Sequence, residues 1–125
     1  MSILEYNNDT LIKKVEDIAK QFPKNIAYEF LGSKCNYQKF VKDVEEVAKS
    51  LSALGVKENE IVCVSMPNTP QAITFIYALN KIGAVANMLD PRTNPENLKE
   101  SINDAKSNLL LSMDAFCPMF EQIVD

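Results

Sequence analysis

Residues 61–108, IVCVSMPNTPQAITFIYALNKIGAVANMLDPRTNPENLKESINDAKSN, alternate short apolar runs with helical stripes and set a chain breaker at each join. Val62, Cys63 and Val64 form the first run, Pro67-Asn68-Thr69-Pro70 interrupts it, and Ile73, Ile76 and Leu79 recur at helical spacing until Gly83. Residues 84–89 form a second apolar run. Two strands joined by a helix of this length must cross over and lie parallel, so the stretch predicts a βαβ unit. Pro70 occupies the first-turn position that proline tolerates, with Asn68 or Thr69 ahead of it as the N-cap. Asn94-Pro95-Glu96 repeats that pattern and opens a further helix with Leu98, Ile102 and Ala105 on one face. A third strand at residues 109–112 and a last helix carrying Phe116, Phe120 and Ile123 follow.

Upstream, Asp9 or Thr10 caps a helix whose apolar stripe is Leu11, Val15, Ile18, Ala19 and Phe22, and Pro23 stops it. Residues 27–30 and 35–37 flank Gly32-Ser33, which reads as the tight turn of an antiparallel hairpin. Phe40, Val44, Val47, Leu51 and Leu54 then recur at steps of three or four, and Gly55 ends that long helix. The expected fold class is α/β: a three-layer, Rossmann-like βαβαβ parallel sheet with helices on both faces, preceded by a helix and a short hairpin. Residues 61–66 supply its middle strand. Residues 10–55 comprise the helix, hairpin and long helix, and residues 56–125 the parallel βα units, together forming one partial domain.

Composition narrows the function. An apolar content of 46% with 24% charged residues is that of an ordinary globular chain. A net charge of −4 removes the basic face that nucleic-acid phosphates need, so no nucleic-acid partner is expected. No apolar run approaches the roughly 20 residues of a membrane span, and the N-terminus lacks a signal-peptide layout, which predicts a cytoplasmic protein. Cys35, Cys63 and Cys117 form no Cys-x-x-Cys pair and read as small core hydrophobes. Histidine is absent, and with it the commonest general base and metal ligand. The three glycines stand singly, so there is no glycine-rich phosphate loop, and no metal site is expected.

Several ordered phrases resemble the N-terminal segment of the adenylate-forming (AMP-binding) ligase superfamily, which includes acyl- and aryl-CoA synthetases, nonribosomal adenylation domains and luciferases. Phe22-Pro23-Lys24-Asn25-Ile26-Ala27-Tyr28 resembles its opening phrase, and Asn36-Tyr37-Gln38-Lys39-Phe40 its approach to the long helix. Leu54-Gly55-Val56, residues 62–70, Lys81-Ile82-Gly83-Ala84-Val85 and Asp90-Pro91-Arg92 follow in register. Ala86-Asn87-Met88-Leu89-Asp90 is most like bacterial acyl-CoA synthetases. The resemblance implies a parent enzyme that uses ATP, Mg2+ and CoA to turn a small-molecule carboxylate into an acyl-adenylate and then an acyl-CoA. The superfamily's Ser/Thr/Gly-rich phosphate loop and catalytic lysine have no counterpart in this sequence. Residues 1–125 are therefore expected to be inactive alone and to bind none of these cofactors, and no catalytic residue is assigned. An adenylation domain of a peptide synthetase and a flavodoxin-like binding or interaction module are the alternatives.

Two residues are candidates for ligand contact. Asn68 follows a parallel strand at its carboxyl edge, where open α/β sheets bind ligands, although capping alone accounts for it. Arg92 follows the second strand and suits a CoA phosphate or an acidic residue beyond this segment, although an ordinary structural ion pair is the favoured reading. Asp43, Glu45 and Glu46 lie between lysines on a polar helix face, which is a solvated arrangement and not an acid/base pair. Met113, Phe116, Met119 and Phe120 form either the cover of the third strand or an exposed apolar face through which the piece self-associates.

Overall fold

The computed structural model of the chain describes residues 10–107, 109–112 and 117–123. Helix α1 (Leu11–Gln21) leads into the hairpin β1 (Ile26–Phe30) and β2 (Ser33–Asn36), then α2 (Tyr37–Ala53). From there strand and helix alternate: β3 (Ile61–Ser65), α3 (Pro70–Ile82), β4 (Val85–Met88), α4 (Pro95–Ala105), β5 (Leu110–Ser112) and α5 (Cys117–Ile123). The sheet order is β4-β3-β5, with β3 parallel to both neighbours. Val64 aligns with Met88 on one side and Leu111 on the other.

Alternation along β3 divides the core between the two sheet faces. Val62, Val64 and Met66 pack with Phe40, Val44 and Leu51 of α2 and with Ala72, Ala78 and Leu79 of α3. Cys63 packs with Leu98, Ile102 and Phe120 of α4 and α5 on the opposite face. The three-layer α/β reading therefore holds, with β3 in the middle. Cys35 and Cys63 are buried free thiols, as small core residues should be, while the side chain of Cys117 lies outside the described set.

Local signals act where the sequence places them. Thr10 caps α1 and Asn94 caps α4 through a 2.8 Å bond from Glu96 N, while Asn36, read from sequence as a strand residue, also caps α2 through a 2.8 Å bond from Lys39 N. Gly83 ends α3 in the left-handed region at φ 88°, and a Cβ there would meet Glu58 Cγ at 2.9 Å. The left-handed backbone favours glycine, and the close approach of the Glu58 side chain adds to that preference.

Other expectations need correction. The hairpin turn is Leu31-Gly32, not Gly32-Ser33: both residues have positive φ (51° and 81°), and Phe30 pairs with Ser33. That is the primed turn whose twist suits a two-residue hairpin. Tyr37 begins α2 and does not extend β2. Leu54 is exposed beyond the end of α2, and Ala48 takes its place on the buried stripe. On α1 the core residue is Ile12, only 3% exposed, whereas Leu11 is 64% exposed. The apolar arc of that helix is wider than the surface the body of the protein covers, so one edge of it meets water. On α3 Leu79 is fully buried as its stripe predicts, but the small residues Ala72 and Ala78 share the core with it while Ile73 is only half-buried, because small side chains let α3 approach its neighbours closely. Phe40 links hairpin and helix by edge-on contacts with Tyr28 at 5.7 Å and Tyr77 at 5.4 Å.

The expected apolar face at the C-terminal end is corrected at Phe120, which is 4% exposed and packs beneath β3, with Met119 against the same cluster. Both cover the sheet. Met113 and Phe116 lie outside the described residues.

Candidate functional site

Parallel neighbours deliver their following loops to the same sheet edge. The loops after β3 and β4 accordingly face each other across an open cleft of ≈ 510 Å³. Met66, Pro67 and Asn68 line one wall, and Met88, Leu89, Asp90, Pro91 and Arg92 the other. Both sequence candidates, Asn68 and Arg92, are thus brought to one cleft at the carboxyl edge, the position where open α/β sheets place ligands. The sequence also gives the reason for the separation of its walls: each strand is followed by a proline that prevents the ladder from continuing.

Capping falls to one of the two residues available. Thr69 Oγ1 accepts from Ala72 N at 3.3 Å, so Asn68 is not the N-cap, and it stands exposed at the cleft. Its amide offers both a donor and an acceptor.

Arg92 makes the ion pair that its loop position suggests. Its Nε and Nη2 donate to Asp90 Oδ1 and Oδ2 at 3.1 and 2.9 Å, and its backbone N–H donates to Oδ1 at 2.9 Å. The fork geometry is that of a two-pronged carboxylate–guanidinium pair. Hydrogen bonding from the Arg92 side chain, then from its backbone N–H, holds the Asp90 carboxyl below its ordinary pKa, and the carboxylate raises that of Arg92. The pair is open to solvent, so a competing anion can reach the guanidinium without first being buried. Asp90 was not singled out from sequence; the signal is the Asp-Pro-Arg spacing, in which an Asx-type turn folds the arginine back onto the acid.

The acidic helix face behaves as its spacing predicts. Asp43 pairs with Lys39 at 2.8 Å and Glu45 with Lys49 at 3.7 Å, both one helical turn apart. Asp43 raises the pKa of Lys39 by hydrogen bonding and charge. Tyr28 nearby is pushed up first by burial and then by its hydrogen bond with Cys35. At the end of β3 the hydroxyl of Ser65 is fully buried and has no partner among the described residues. Among the described residues no group of three or more His, Cys, Asp or Glu could hold a metal ion, and no helix is long and apolar enough to cross a membrane.

A family model described as AMP-binding enzyme matches residues 15–123. A long-chain-fatty-acid–CoA ligase of Bacillus subtilis (strain 168) is 26% identical over 111 residues, covering 89% of this chain and 20% of its own length. The phosphinothricin tripeptide synthetase PhsC of Streptomyces viridochromogenes is 31% identical over 111 residues, covering 89% of this chain and 10% of its own. Among solved structures, the inhibitor-bound N-terminal domain of FACL13 from Mycobacterium tuberculosis superposes with a TM-score of 0.85 at 21% identity, over 90% of this chain and 29% of that one. The chain thus spans a fifth or less of the two curated relatives.

Proposed function

We propose, from the premise that the chain belongs to the AMP-binding enzyme family, that it forms the N-terminal part of an ATP-dependent carboxylate–CoA ligase. In that reaction the acid and ATP give an acyl-adenylate, and the acyl group then passes to the CoA thiol. The observation that carries the reading is the match to the B. subtilis ligase along 89% of this chain. The second reading, an adenylation domain acting on a carrier-protein thiol, is favoured by the match to PhsC over the same share of the chain at 31% identity.

The residues present do not fit Mg-ATP. Adenylyl transfer needs donors around the phosphates, a metal and a cation where negative charge develops. The described residues offer neither a metal-holding cluster nor a glycine-rich loop. No adenylation step is assigned to them, and residues 1–125 alone should catalyse none.

The cleft suits CoA better. When bound, CoA supplies the thiol that takes up the acyl group; Asn68 and Arg92 would hold its polar end. Arg92 can exchange one of its two bonds to Asp90 for a phosphate oxygen, keeping its charge neutralised throughout. Asp90 opposes the anion and holds the guanidinium in place before the exchange. Met66 and Met88 give the cleft adaptable apolar walls.

The test is carboxylate-dependent ATP–pyrophosphate exchange by the natural polypeptide carrying this sequence, against fatty, aryl and amino acids, followed by thioester formation on CoA and on a carrier-protein pantetheine. Exchange with thioester on CoA is expected. Thioester on the carrier alone overturns the CoA reading, and no exchange with any acid overturns the ligase reading. Robust exchange by purified residues 1–125 contradicts the division of labour proposed for this segment.

A further inference from the structure

We draw no further inference here: the strongest candidate, the exposed apolar tip of the β1-β2 hairpin at Phe30 and Leu31, carries none, because nothing in the structure shows what covers it.

Discussion

Asn80→Ala should loosen α1 from the body of the protein. Four N–H groups at the start of a helix have no partner within it, and α1 satisfies two of these in different ways. Lys13 N donates to Thr10 Oγ1 at 3.3 Å in an exposed local cap. Ile12 N donates to Asn80 Oδ1 at 2.9 Å, a bond from α1 to the last turn of α3 across 68 positions of sequence. Since Ile12 is itself a core residue, water cannot readily replace the lost acceptor. Capping deletions and stranded buried donors together put the expected loss at about 1–2 kcal/mol. Thr10→Ala should cost less, about 0.5–1 kcal/mol, because its longer bond is replaceable by solvent. Lys81→Ala breaks the neighbouring 2.8 Å pair with Glu16, which is partly exposed, and should cost about 0.2–1 kcal/mol and less at high salt. Asn80→Asp keeps an acceptor and places negative charge at the start of α1, and should retain most of the stability. Urea unfolding at low and high salt gives the ranking, and amide exchange at Ile12 identifies the bond. An Asn80→Ala loss no larger than that of Lys81→Ala, with Ile12 exchange unchanged, would refute the reasoning.

Val64→Asp should abolish the cooperative melt, because the carboxylate would sit unpaired in the fully buried middle strand at a cost on the order of several kcal/mol; an unchanged melt would mean that residues 61–65 are not central. Thr69→Ala should destabilise the protein by about 1 kcal/mol while Asn68→Ala costs close to nothing, since only Thr69 caps α3; equal losses in chemical denaturation would reassign the cap. Asp90 should titrate by NMR below the ordinary carboxylate range and return to it in Arg92→Gln. Because the folded-state pKa is lowered, the pair's contribution is present above the unfolded pKa and lost as pH falls through the folded one, so Arg92→Gln should flatten that part of the pH–stability curve. Ser65→Ala should be neutral or mildly stabilising by up to about 1 kcal/mol, since it removes a buried hydroxyl with no partner among the described residues; a large loss in a melt would reveal a partner for that group.

Much of the fold is legible because its signals are local. The caps at Thr10 and Asn94, the prolines at Pro70 and Pro95, and the left-handed stop at Gly83 each act within a few residues of themselves. Together with the apolar runs of β3 and β4 they dictate a parallel α/β unit before any contact is known. The ordered phrases of the AMP-binding family are likewise carried by sequence, and the family model confirms them over residues 15–123. Burial is decided elsewhere. Leu11 and Ile12 have similar hydrophobicity, and only the position of α2 and α3 selects Ile12 for the core. Periodicity marks Phe120 as apolar without saying whether it meets water or, as it does, Cys63 and Leu98. The same division runs through the cleft. The sequence supplies Asn68 and Arg92 at two strand ends, but the cleft they share arises only when β3 and β4 lie side by side. Short-range sterics and hydrogen bonding fix an element and its ends, whereas the side of it that is covered depends on which distant surfaces pack against it.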